Sequence, residues 1–585
     1  MRLSKPAWLL HVSLLLIVAG GVLTWLTGDR GQVVLGKGET ASVYVTAGGD
    51  ERVFPFALSL DSFTVDYYPG GMVPRDYVSR LKIDGDPAVV SVNNIVSVKG
   101  YRLCQMSYDG AGRTVLGVNH DPAGIGVTYT GYVLFALSGL WLLLSRSGGF
   151  RRGLRRLFVC ALVAGGCTVT MSAETIAGMS REQADSLSAR QVMYNGRLMT
   201  FNSLARDFTA KITGGEEYRG LSAEQFMASW LLYPEQWQEE RAILIKDERL
   251  RARLGIAGRY ASLSDLFDAD GGYRLQAMYG KGDQELDRAV EEVDEKTGII
   301  MELLSGKLIV ARPDDVPPLS EARVAAELIY NRVPFTMLVF VILFAGAAAA
   351  FASLFGIGKV RIAAVVLLWT ALSLQVVSYG LEWYISGHIP LANTGETMSF
   401  MLIVLLVMLL LLYRRSPLLL PAGMLLAGAV ALVTHLIGTN PVLTPLMPVL
   451  QSPWLSIHVT LVMVAYAFIA ITVAGSCVAL VSRRQGERMM NLDRVLLYPA
   501  LYLLGLGIVT GAVWANVSWG RYWAWDPKET WALITFLIYA LPMHRSVRML
   551  NRPRIFHVYM LLAFLAVLMT YFGVNSLSSL HSYSR

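Results

Sequence analysis

The sequence predicts a polytopic α-helical membrane protein of about eleven spans, with a β-rich and a mainly helical domain outside the membrane. Three observations predict it. Hydrophobic residues make up 54% of 585, and mean hydropathy is +0.46, well above a soluble average. Apolar runs near membrane-spanning length recur along the chain. The short connections between runs alternate between basic and nearly free of Lys and Arg.

In chain order, the first run is 7–27. Residues 28–127 follow as short alternating stretches such as "FALSLDSFTVDYY", which read as strands of an outer β-rich domain. A second span, 128–145, closes a first unit of residues 1–150. The unit 151–333 opens on a short run, 157–173, which follows several arginines and also resembles an internal signal sequence. The alternation of loop charge requires it as a span. Residues 174–333 are charged and rich in helix formers, which predicts a mainly helical outer domain. Residues 334–585 hold eight runs with short loops: 334–355, 361–381, 397–413, 417–437, 458–481, 495–513, 530–544 and 555–576.

The loops set the orientation. "SRSGGFRRGLRR", "YRRS", "SRRQGERMMNLDR" and "HRSVRMLNRPR" are basic and therefore predicted cytoplasmic, together with the N-terminus. "EWYISGHIPLANTGE" has no Lys or Arg and falls on the other side, with both polar domains and the C-terminus. In a bacterial inner membrane that side is the periplasm. The net charge of +7 thus follows loop topology and gives no reason to expect nucleic acid. The cysteines Cys104, Cys160, Cys167 and Cys477 form no C-x-x-C pair, which argues against a zinc ribbon or a dithiol redox site.

Chemistry concentrates at "WGRYWAWDPKETW", residues 519–531. Four indoles share this loop with Arg521, Asp526, Lys528 and Glu529, and Trp514 precedes it. A membrane-interface belt would spread its aromatics over many spans; these cluster in one loop on the outer side. His458 opens a span on that side and His581 lies in the outer tail. Two imidazoles can fill both axial positions of a haem iron. Indoles offer flat apolar area, and Arg521 and Lys528 offer cations for propionates. His11 and His544 lie near the cytoplasmic side and could ligate a second haem, with His557 as a rival. His388 stands on the outer side beside Glu396, His435 ends its span near that side, and His120 reads as a surface residue. An interfacial histidine is more often a packing residue, so each assignment competes with that plainer one.

"WGRYWAWDPKETWALITFLIYALPMH" resembles the tryptophan-rich WWD motif of the haem-handling proteins of cytochrome c maturation. "GHIPLANTGET", "LQSPWLSIHVTLVMVAYA" and "FGVNSLSSLHSYS" resemble neighbouring motifs of the CcsA/ResC branch. "HVSLLLIVAGGVL", "GYRLCQMSYDG" and "VNHDPAGIGVTYTGYVL" resemble the CcsB/ResB partner, so the whole resembles a fused system II cytochrome c synthase. Residues 174–333 have no counterpart in that partner. The resemblance implies haem transport to the outer face and covalent attachment of haem b to an apocytochrome bearing C-x-x-C-H, with a thiol reductant system as partner. It implies axial ligands His458 and His581 outside, and His11 and His544 inside. It implies a WWD site of Trp519, Gly520, Trp523, Trp525, Asp526 and Glu529; beside these, Trp514, Arg521 and Lys528 read as haem-binding residues from their place in and before the loop. A system I protein that loads a haem chaperone would share the motif, but the β-rich half argues against it. A respiratory b-type cytochrome would keep its histidines inside the spans. A solute transporter would show paired broken helices, which are not evident here.

Overall fold

The computed structural model of the chain describes residues 4–577 except 70–72, 110–111, 146–178, 269, 281–282, 311, 357, 438–442 and 444. The expected span 157–173, with Cys160 and Cys167, and the expected ligand His581 lie outside the described residues. Among the described residues, nine helices are long and apolar enough to cross a membrane. The chain is therefore a multi-pass membrane protein. The run predicted at 530–544 differs from the other nine. It forms a helix of only 14 residues, Pro527–Ala540, continued by a 3-10 turn at Leu541–Met543. Together these reach roughly 27 Å, close to the ~30 Å hydrocarbon core.

Helices Lys5–Thr27 and Pro122–Leu144 pack side by side. Small residues let them approach closely. A Cβ on Gly20 would lie 2.1 Å from Thr128 Oγ1, and one on Gly131 would meet Ile17. The pair docks on the long helix Gly486–Trp519, where Tyr502 donates to the Ala136 carbonyl (2.9 Å) and Phe135 fills the space beside Gly505. That helix has 34 residues, roughly 50 Å of rise. It is thus longer than the ~30 Å hydrocarbon core and carries Trp514 and Trp519 in its last two turns.

Between the first two helices the chain forms one antiparallel sheet of eight strands: β1 (Asp29–Leu35), β2 (Thr40–Thr46), β3 (Glu51–Tyr67), β4 (Pro74–Ile83), β5 (Asp86–Ser91), β6 (Val96–Val98), β7 (Tyr101–Tyr108) and β8 (Thr114–His120). Their order is β5-β4-β3-β2-β1-β8-β7-β6. The edges β5 and β6 approach each other, so the sheet curls around a core that includes Leu58, Leu81, Val90, Leu103 and Leu116. His120 stacks on Tyr101 at 4.2 Å.

The second outer domain is mainly helical, from Arg181–Ser188 to Glu321–Arg332, around a core with Trp230, Phe226 and Trp237. A ribbon of Gln191–Tyr194 and Arg197–Thr200 turns at Asn195 and Gly196, both with positive φ, the signature of a tight hairpin. Gly196 sits against Tyr68 of the β domain, and Arg197 donates to the Leu443 carbonyl at 2.7 Å. Tyr68 donates to the Leu446 carbonyl (2.9 Å) and Asn93 to that of Pro448 (2.8 Å). Both outer domains therefore brace the loop that leads to the His458 helix.

Candidate functional site

Helix Gly486–Trp519 ends on Gly520, whose φ of +69° makes the left-handed turn that terminates a helix. The Gly520 carbonyl accepts from Asn119 Nδ2 at 2.5 Å, so the β domain holds this corner. The charge of the next residue, Arg521, is felt at Arg30 and Cys104 of the β domain. Burial, and then the charge of Arg521, lower the Arg30 pKa.

The acidic pair of the motif builds the start of helix Pro527–Ala540. Asp526 is its N-cap and accepts from Lys528 N at 2.9 Å. Glu529 Oε2 accepts from Asp526 N (3.2 Å) and Ala524 N (2.8 Å), completing a capping box with Pro527 in the first turn. Between the two corners Trp525 adopts φ +57°, a left-handed conformation costing about 1–2 kcal/mol for a residue with a Cβ.

The sequence spacing of two residues predicts, for an extended loop, that Trp523 and Trp525 point to one side and form a platform for one face of a porphyrin. Here their rings meet edge to face, 5.8 Å apart at 90°. Trp523 lines a cavity, whereas Trp525 is 71% exposed. The left-handed residue breaks the two-residue alternation on which the expectation rested.

The cavity measures about 730 Å³ and gathers five segments of chain. His458, Trp514, Trp523, Lys528 and Glu529 line it. Trp519 packs behind, its ring 4.9 Å from that of Trp514. Arg521 is not part of the wall. The volume suits a cofactor-sized molecule. His458 Nδ1 lies 2.7 Å from the Gly507 carbonyl. A carbonyl only accepts, so Nδ1 carries the proton and the lone pair sits on Nε2, the arrangement of a metal-ligating imidazole. The ring fits because residue 511 is glycine: a Cβ there would lie 2.7 Å from His458 Nδ1.

His388 also lines the cavity, as do Asn393, Glu396 and Tyr571. Glu396 accepts from Ala392 N (2.7 Å) and Asn393 Nδ2 (2.6 Å), capping helix Thr394–Leu412. Burial lowers the His388 pKa against the opposing pull of the Ile389 carbonyl, and nearby Arg197 lowers it further. The stretch "GHIPLANTGET" pointed to this segment, but not to His388 as a wall residue. Asn575, six residues before His581, lies on the wall as well. His435 is elsewhere, 3.1 Å from Thr336 Oγ1.

A second pair of imidazoles meets at the other end of the first helix. The His11 and His544 rings lie 5.9 Å apart at 86°. His11 Nδ1 reaches the Ala7 carbonyl (2.6 Å) and His544 Nδ1 that of Ala540 (3.0 Å), which again puts the lone pairs on Nε2. Both side chains are exposed. His557, the rival, is 1% exposed. Its Nε2 donates to the Gly486 carbonyl (2.9 Å), and its Nδ1 lies 3.0 Å from Ser476 Oγ and 3.4 Å from Asp493 Oδ2. Both ring nitrogens are engaged, so His557 packs three helices together.

Comparison with known proteins matches this architecture. Residues 391–581 match the cytochrome C assembly protein family, and residues 7–139 the ResB-like family. The cytochrome c biogenesis protein CcsA of Synechococcus sp. (strain CC9605) is 30% identical over 39% of this chain and 86% of its own length. The chain belongs to the cytochrome c assembly family. Protein NrfI of Wolinella succinogenes is 29% identical over 92% of this chain and 72% of its own. CcsA of Chlamydomonas reinhardtii is 35% identical over 34% of this chain and 63% of its own. This family member fuses a ResB-like half to the assembly half, and its function is cytochrome c biogenesis.

Proposed function

We propose that the chain is a holocytochrome c synthase that carries its haem substrate, haem b, between two sites. Haem is taken up at His11 and His544 on the cytoplasmic side of a bacterial inner membrane. It is then held in the periplasmic cavity by His458, with His581 as the second ligand. The basic loops support a cytoplasmic N-terminus and a periplasmic cavity and C-terminus. The observation that carries the reading is the meeting of His544 with His11, from opposite ends of the chain, His11 lying on the helix that also reaches the tryptophan loop. A rise of about 1.5 Å per residue puts roughly 20 Å between His11 and Thr24, beside that loop.

In the cavity Trp523, backed by the buried Trp514, offers apolar area to the macrocycle, and Lys528 a cation to a propionate. An apocytochrome supplies the C-x-x-C-H segment. Each of its thiols adds across one vinyl group: the S–H bond breaks, an S–C and a C–H bond form, and the vinyl double bond becomes single. Nothing leaves and no net oxidation occurs. The step needs free thiols, hence a thiol reductant as partner, and the apocytochrome's own histidine then replaces a protein ligand on the iron.

The test is co-expression with a C-x-x-C-H reporter in a host lacking a synthase. Reporter haem that survives denaturation supports the reading. Haem bound to the purified chain with none attached to the reporter overturns the synthase assignment.

A further inference from the structure

One loop residue faces away from the cavity into the ResB-like half. Tyr522 is 5% exposed. Its ring packs with Tyr132 and Ala512, beside Tyr129 and Val513. Its hydroxyl reaches Thr24 Oγ1, Thr128 Oγ1 (3.1 Å) and, more distantly, the Gly20 carbonyl (3.4 Å). Thr24 Oγ1 lies 2.6 Å from Asp121 Oδ2, and Asp121, 1% exposed, caps helix Pro122–Leu144 through Gly124 N.

Each hydroxyl has one proton, and one assignment satisfies all of them. Thr128 donates to Tyr522, Tyr522 to Thr24, and Thr24 to the Asp121 carboxylate. A chain of buried donors ending on a carboxylate is mutually reinforcing. Its room depends on glycines. A Cβ on Gly124 would lie 2.1 Å from Thr24 Oγ1, as one on Gly20 would from Thr128 Oγ1.

The neighbour of Tyr522 is Trp523, the indole on the cavity wall, and two residues on lies the left-handed Trp525. A residue held at positive φ persists only where its surroundings over-determine it. Asn119 holds the loop at Gly520 and Glu529 holds it at Ala524 and Asp526. Tyr522 is the contact between those two.

We infer that Tyr522 is a positioning residue: through its hydroxyl, the ResB-like half sets the Trp523 indole in the outer cavity. The inference rests on the two-site haem reading. Tyr522→Phe keeps the ring and its packing. Thr24→Val removes the partner hydroxyl from a residue that does not line the cavity. Each should lower outer-site haem on the purified protein by about three- to tenfold, the scale of one lost hydrogen bond, and shift its absorption spectrum. The double variant should be no worse than the more severe single, because both break one chain. In a His458→Ala background, which keeps only inner haem, Tyr522→Phe should change nothing. Unchanged outer haem in both single variants overturns the inference. So does an equal loss of inner haem in the His458→Ala background, which would mean general support of the fold. Reporter maturation by the unmodified chain is scored in parallel, so failure of the synthase reading shows up separately.

Discussion

The outer cavity and the inner histidine pair use the same chemistry in opposite settings. At both, Nδ1 is tied to a backbone carbonyl and the lone pair is on Nε2. Around His458, five chain segments close a cavity with indoles, a lysine and two capped helix starts. Around His11 and His544 two exposed side chains meet at helix ends. A walled site can hold a substrate in one orientation, whereas an exposed pair can take it up and release it. The difference suits a transfer from the exposed pair to the walled cavity. It also ranks the substitutions by how much of each site they remove.

The largest effect should come from His458→Ala. Losing a hydrogen-bond partner of a ligating histidine costs about 10–100-fold in metal affinity, so losing the ligand should exceed about 100-fold at the outer site. Reporter maturation should stop, and added imidazole should restore part of it. Inner haem should remain. Normal maturation by this variant would remove His458 from the mechanism and turn attention to His388, the other imidazole on the cavity wall.

Next comes His544→Ala, and His11→Ala beside it. If the exposed pair feeds the cavity, either substitution should deplete both sites, in contrast to His458→Ala. The measurement is haem content and spectrum of each purified variant. Full haem at the outer site in His544→Ala would take the inner pair off the route and break the comparison between the sites.

Some of this was readable from residues alone. Span positions, the β-rich segment and the common depth of His11 and His544 follow from hydropathy and loop charge, which are properties of single segments. What failed depended on partners distant in sequence. His557 looked equivalent to His11, but Asp493 and Ser476 from two other helices enclose it. Arg521 read as a propionate cation, yet it does not line the cavity. Asp526 and Glu529 are a different case. The run D-P-K-E carries a cap, a proline in the first turn and a glutamate three residues after the cap. That local signal was present and was read instead as charge for chemistry.

The capping box yields a smaller and sharper prediction. Glu529→Ala removes the acceptor for two loop amides and should cost about 0.5–2 kcal/mol locally. Outer haem retention should fall by roughly three- to thirtyfold, and inner haem should not change. Glu529→Gln keeps an acceptor oxygen and should stay near the unmodified protein. If Gln is as damaging as Ala, the carboxylate charge matters in its own right, and Glu529 returns to the chemistry.

The smallest effect should come from the most conspicuous residue. Trp525 is the largest exposed ring of the loop, yet it does not line the cavity. Trp523→Ala removes an indole from the wall and should lower outer haem about tenfold, within the range for truncating a buried aromatic contact. Trp525→Ala keeps the left-handed backbone and removes mainly exposed area and one edge-to-face contact with Trp523, so outer haem should change less than about twofold. Trp525→Gly goes further, because glycine adopts positive φ without strain. It should match the unmodified protein or retain haem slightly better. Haem content of the three purified variants decides the point. If Trp525→Ala loses as much haem as Trp523→Ala, the two indoles act on haem together and the loop must rearrange when haem binds. Equal loss in Trp525→Gly would show that the indole itself, and not the backbone turn beneath it, makes the contact.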